Sequence, residues 1–297
     1  MTRKQILIAI AGGYFVAIAG IVAVFGFTRR DNEEFQPQNE FRLDTWIDLP
    51  GPMDINKAVM YLVIAAVLTV TTMVFIARRM QARPNRVQTA VEAIYAFMRD
   101  QITGSSMDDD MARKWFPFLA TLFLFIWFSN LIGYIPLPTN TEHTFGLFGA
   151  EIPAFAIYAA TANISVPLVL ALVVFVSYNV EGIRAKGIVG YLKSLIPEGV
   201  SGPGVAPLFV LELVSNFMRL LSLSVRLFAN ILAGHLIILF MAGGLAVLLG
   251  VEALGVITLP FGLILFMFEL GLVATLQAFI FATLSAIYLG GSVAAHH

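Results

Sequence analysis

The sequence predicts an all-α membrane protein of about six spanning helices, ending in a long, steeply inclined helical hairpin and carrying one amphipathic surface helix. Three observations predict it. Of 297 residues, 59% are hydrophobic and only 12% charged, against roughly 45–50% and about 25% in soluble domains. Four apolar runs, roughly 6–27, 57–77, 116–135 and 156–178, have the length that crosses a bilayer. Two further runs, roughly 206–249 and 253–290, are far longer than one upright crossing needs.

The first run follows "MTRK". A basic start before an apolar centre also fits a signal peptide, but the centre is long and no A-x-A-like cleavage site follows. It reads as a retained helix. Residues 28–56 are mostly acidic, with Asp31, Glu33, Glu34, Glu40, Asp44, Asp48 and Asp54, although Arg29 and Arg30 at the start run against the trend. After the second run, residues 78–114 carry Arg78, Arg79, Arg83, Arg86, Arg99, Arg113 and Lys114. Within them "RVQTAVEAIYAFMRDQIT" sets Val87, Val91, Ile94, Met98 and Ile102 on one helical face. That pattern predicts an amphipathic helix on the cytoplasmic surface or against a partner. Residues 136–155 hold no Lys or Arg, whereas 182–198 add Arg184, Lys186 and Lys193. Because Lys and Arg concentrate inside, these loops alternate consistently over six crossings, with both termini cytoplasmic.

The run from Leu208 to Leu249 would be on the order of 60 Å as one helix, against about 30 Å of hydrocarbon. An ordinary tilt of about 20° does not absorb that. Either each long run breaks into two spans, or both form an inclined hairpin. The glycines that could break the first run (Gly243, Gly244, Gly250, Gly255) come late, which favours a hairpin turning near 245–257. Steeply inclined helices need a curved protein surface to pack along, and so a partner.

After Lys193 the only cations other than His are Arg219 and Arg226. An arginine at a helix centre costs about 2.5–3.5 kcal/mol on insertion scales. Arg219, near the inner end, can snorkel or pair with a carboxylate; Arg226 lies too deep for easy escape. Glu212, Arg219 and Arg226 are spaced by seven, Asn230 follows four later, and Ser215 and Ser222 are neighbours, making one polar track. Asn230 and the serines equally suit plain interhelical hydrogen bonds. The last run supplies Glu269 and Gln277, and His235 is the natural opposite number of Glu269. His and Glu make either a proton-transfer pair or a passive buried hydrogen bond. Asn163 adds a polar group near an outer end.

Several classes are excluded or disfavoured. The absence of cysteine removes disulfides and Cys-based metal or redox sites. The remaining histidines are His143 and a terminal pair, His296 and His297, the pair reading as a solvated tail; neither a metal nor a cofactor is expected. No G-x-x-x-x-G-K-[ST] loop and no H-E-x-x-H is present. A net charge of −1 makes no case for nucleic acid. A self-contained, ion-coupled secondary transporter is the alternative; it predicts inverted repeats, and none is evident.

The segments "LLSLSVRLFANILAGHLI" and "LQAFIFATLSAIYL" resemble subunit a of the F-type ATP synthase. So do "INKAVMYLVIAAVLTV", "RPNRVQTAVEAIYAFM", "FSNLIGYIPLP", "TANISVPLVLAL" and "LFVLELVSNFMRLLSLSVRLFAN". The likeness covers about 45–292, dividing the chain into an extra N-terminal helix with its acidic external loop (1–55) and a family-like membrane domain (56–297). The resemblance implies proton translocation coupled to ATP synthesis in a bacterial plasma membrane, through two offset half-channels beside a rotating ring of c subunits. It implies b-type stalk and remaining synthase subunits as partners, with no catalytic site in this chain. Arg226 would face the ring carboxylate. Asn230, His235, Gln277, Glu269 and Asn163 would line the outer half-channel, and Glu212, Ser215 and Ser222 the inner one. In one respect the chain departs from the family. Members with His at this place commonly put the acidic partner seven residues before the Gln, whereas Glu269 lies eight before Gln277, about 100° further round. Local overwinding or steep inclination of the helix is expected to compensate.

Overall fold

The computed structural model describes residues 43, 45–47, 55–79, 85–104, 106–139, 144–147, 150–153, 155–196, 204–244 and 252–294, with 12, 16 and 20. The expected span at 6–27 (those three residues apart), most of the acidic loop, His143, His296 and His297 lie outside the described residues. Among the described residues, five helices are long and apolar enough to cross a membrane. Short antiparallel strand pairs in the connecting segments join Thr45–Ile47 to Ile55–Asn56, Leu137–Pro138 to Phe155–Ala156, and Thr144–Leu147 to Ala150–Pro153.

Residues 43–232 and 272–297 form one compact unit. Its first helix, α1 (Lys57–Arg79), buries Tyr61, Ala65 and Thr69 at a spacing of four and exposes Val63, Val67 and Val70. This two-faced pattern suits a helix with lipid on one side. Helix α2 (Arg86–Phe97) starts where the Asn85 side chain accepts a hydrogen bond from the Gln88 amide at 2.8 Å, an N-cap that satisfies an end donor. It continues through a wide, π-type turn, Met98–Thr103. Met98 and Ile102 are buried in the chain's own core, with Ile94 packed against it, while Val87 stays exposed. The C-terminal part of this apolar face is therefore covered by the chain's own helices, while its start is left exposed.

Helix α3 (Asp109–Ile132) carries Asp109 and Asp110 in its first turn, where carboxylates complement the helix dipole. A 3-10 turn at Ala160–Ala162 leads into α4 (Ser165–Ser194). The apolar run at 156–178 begins earlier than this helix because its first residues pair as a strand and turn. Helix α4 is two limbs, not one: Gly187 has φ 73° and ψ 163°, a conformation open essentially to glycine alone. Past this break the chain folds back. The Tyr191 ring packs so close to Gly182 that a Cβ there would collide with it, and the Tyr191 hydroxyl donates to Asn179 Oδ1 at 2.7 Å.

The long runs form α5 (Val205–Leu239), a wide turn (Phe240–Gly244), α6 (Glu252–Phe268), a second wide turn (Glu269–Val273) and α7 (Ala274–Val293). Each is a single membrane-capable span, Val205–Ala242 and Thr258–Val293, so neither breaks into two. The expected turn region, near 245–257, lies largely outside the described residues, which stop at Gly244 and resume at Glu252. Helix α5 contributes Leu220, Leu223, Leu227 and Ile231 to the core beside Phe123, Ile126, Phe281 and Ala282, a stripe at spacings of three and four. With no hydrophobic drive between helices inside lipid, close packing of this kind and interhelical hydrogen bonds hold the unit together.

The other unit contains residues 1–42 and 233–271. In it α6 packs against the wide turn Phe240–Gly244. A Cβ on Gly262 would lie 3.1 Å from the Met241 carbonyl carbon, so the missing side chain permits close backbone approach.

Candidate functional site

The face of α5 opposite its buried stripe is exposed. Arg226, Ser222 and Asn230 stand there with Met218 and Val225, each of these two about half exposed. Arg226 forms no hydrogen bond or ion pair with any described residue, whereas Arg219 does. A guanidinium presented sideways from a greasy face is costly in lipid. Its stable neighbours are an anion or water.

One turn-pair earlier the same helix borders a cavity of about 690 Å³. Arg219 Nη2 lies 3.5 Å from Glu212 Oε1, and its guanidinium sits 5.5 Å from the centre of the Tyr288 ring, within cation–π range. Both charged residues line the cavity, as do Tyr178, Lys186 and Tyr191. Buried Tyr178 and Asn216 form part of one wall, linked to Asn179 behind it. The Tyr178 hydroxyl donates to Asn216 Oδ1 at 2.7 Å, and Asn216 Nδ2 donates to Asn179 Oδ1 at 3.2 Å. Ser215 is half-buried and Ser222 exposed, and neither lines the cavity. Asn216 escaped the sequence reading because the polar track was counted in sevens. It lies four after Glu212 and three before Arg219, so helical neighbourhood would have found it.

In the unit containing 233–271, His235 is buried and Glu269 half-buried. The Glu269 carboxylate lies over Gly234, so close that a Cβ at Gly234 would collide with it. Glycine thus makes room for an acid beside the imidazole-bearing residue. Glu269 also opens the wide turn Glu269–Val273. The helix is underwound there, not overwound as expected. A π-type turn holds about one residue more than an α turn.

Gln277 is buried in α7. Two residues earlier, Thr275 Oγ1 accepts from Trp127 Nε1 at 3.0 Å. The Ala274 carbonyl accepts from Asn130 Nδ2 at 3.2 Å, and Asn130 Oδ1 accepts from Thr161 Oγ1 at 2.8 Å. Asn163, half-buried, accepts from the Ser165 amide at 3.0 Å and so caps α4. It also hydrogen-bonds Tyr158, whose hydroxyl is pushed up to about 12 by burial, with the Asn163 bond opposing the shift. Elsewhere the buried Glu181 carboxylate receives Lys114 Nζ, tying α4 to α3.

The family model described as ATP synthase A chain matches residues 59–290. The chain is 37% identical over 239 residues to the ATP synthase subunit a of Rubrobacter xylanophilus, covering 80% of this chain and 83% of that one. It is 34% identical over 260 residues to that of Myxococcus xanthus, covering 84% and 78%. For Pelagibacter ubique the identity is 32% over 266 residues, covering 88% and 98%.

Proposed function

The chain belongs to the ATP synthase A chain family, and from that premise we propose that protons cross it through two offset half-channels beside a rotating ring of c subunits. As a member it is an integral membrane subunit of a multi-subunit, proton-translocating ATP synthase of the bacterial plasma membrane, with ATP chemistry in other subunits. Both termini lie in the cytoplasm on this reading, and b-type stalk subunits hold the chain still.

An outside proton passes Asn230, His235, Glu269, Gln277 and Asn163 and neutralises a ring carboxylate. The neutral acid can then rotate into lipid, since burying it costs far less than burying its anion. After almost a full turn it reaches the inner half-channel. The cavity bordered by Glu212 and Arg219 suits that role, for its wall includes Lys186 on the segment rich in Lys and Arg, the signature of the inner side. Ser215 and Ser222 lead from it toward Arg226. Arg226 stands between the half-channels, favours the ionised ring carboxylate and so drives proton release. Its charge also repels any proton shunting directly across. Guanidinium suits the task because it does not deprotonate in proteins.

The observation that carries this reading is the exposed Arg226, without a partner among the described residues, on an apolar helix face. Inclination of the α5–α6–α7 hairpin follows from length. The 38-residue span would be about 57 Å as a helix, and lying obliquely along a ring uses that length. Arg226→Ala is expected to abolish ATP synthesis driven by a proton gradient while the complex still co-purifies with its ring. Normal synthesis in the assembled variant would defeat the proposal.

A further inference from the structure

Helix α7 begins immediately after the wide turn Glu269–Val273, and its first two residues are held from one side. Trp127 and Asn130 stand three apart on α3 and so share a helix face. Trp127 Nε1 donates to Thr275 Oγ1 at 3.0 Å and Asn130 Nδ2 to the Ala274 carbonyl at 3.2 Å. The carbonyl can only accept, so the Asn130 amino group must point at it. The other side of the amide takes the Thr161 hydroxyl at 2.8 Å. Asn130, Thr161 and Ala274 are fully buried, so water cannot substitute for any of these partners, and leaving a buried polar group unpaired costs about 1–3 kcal/mol.

A π-type turn is rare and short because its hydrogen bonds are poorer than those of an α-helix. It can close into regular α-helix, or migrate by exchanging hydrogen bonds with its neighbours, unless one end is fixed. The residue types inside this one, Glu-Leu-Gly-Leu-Val, hold no proline to fix it. The two donors from α3 do so from outside.

We propose that Asn130 and Trp127 are positioning residues, which pin the wide turn at Glu269–Val273 and thereby set which way the Glu269 carboxylate faces. This rests on the reading of Glu269 as part of the outer proton path. If the turn closed into α-helix, one residue fewer would fit, and residue 270 would take the facing that 269 has now. Loss of the clamp and a one-residue shift of the acid should therefore compensate each other.

The test uses the assembled synthase in membrane vesicles, with passive proton conduction measured after the ATP-hydrolysing sector is removed, and with its pH profile. Asn130→Leu is expected to lower conduction on the order of tenfold or more, as small misplacements of reacting groups do. The pair Glu269→Leu with Leu270→Glu, clamp intact, should lower it similarly. Combining all three substitutions should restore conduction and its pH profile most of the way. Trp127→Phe keeps an aromatic ring in the core while removing the donor, so it serves as the background where Asn130→Leu fails to assemble. A merely structural brace predicts no rescue by moving the acid. No rescue, or normal conduction in both clamp variants, overturns the proposal. Normal conduction in Glu269→Leu alone overturns the role of Glu269 and this inference with it. Impaired conduction in Glu269→Leu without rescue overturns the clamp only.

Discussion

At Gly234 a methyl group would meet the end of the Glu269 side chain, not backbone. Overpacking a rigid core costs about 1–3 kcal/mol, but a flexible carboxylate can swing aside. Gly234→Ala is thus expected to leave thermal stability of the complex nearly unchanged while lowering proton conduction through displacement of the acid; a large fall in melting temperature with unaltered conduction per assembled complex would contradict this. On the proposed path, His235→Ala should give partial loss of ATP-driven proton pumping with a changed pH dependence. An unchanged profile would mean that the ring is only structural. Asn163 differs in kind. Its carboxamide caps α4, so Asn163→Ala should cost about 1 kcal/mol of stability, the usual loss for such a cap, measurable as earlier thermal unfolding.

Helix α4 shows where local strain is concentrated. Gly187 holds a backbone conformation that non-glycine residues occupy only at a cost of about 1–3 kcal/mol. Gly187→Ala is expected to open the fold-back and separate Tyr191 from Asn179. Cysteines placed at 182 and 191 should cross-link in the otherwise native chain and fail to do so in the alanine background; equal cross-linking in both would show that the break tolerates a side chain. Such a break is invisible to hydropathy, which sees one apolar stretch running into a basic one. Periodicity did find the apolar face at Ile94, Met98 and Ile102, yet it could not say what covers that face, since lipid, a partner and the chain's own core are equally apolar. Likewise the seven-residue track located Glu212, Arg219 and Arg226. It missed Tyr178, Asn179, Asn216 and Tyr191, whose contacts join α4 to α5 across more than 20 residues of sequence. The two long C-terminal spans were legible from the length of their apolar runs alone.

For the molecule as a whole, the apolar surface is extensive: Leu263, Ile264, Met267 and Leu211 are each about three-fifths exposed. Lipid covers such faces wherever a partner does not. A naturally cysteine-free chain permits single cysteines along 206–290 to be tested for reagent access from each side of the membrane. The proposed path predicts access from the inner side near Glu212 and from the outer side near Asn230, with position 226 reached poorly from either. Continuous access from one side across all three would remove the offset on which directional rotation depends.

The space beside Glu212 and Arg219 has a further consequence. At about 30 Å³ each, on the order of twenty waters fit within it, enough for a vestibule with liquid-like connectivity. If the cavity is the inner half-channel proposed above, a proton delivered there joins a pool and needs no dedicated acceptor. Throughput on that side should then be forgiving of chemistry at any single lining position, and Glu212→Gln should slow turnover only a few-fold, while bulky residues that fill the pool should throttle it.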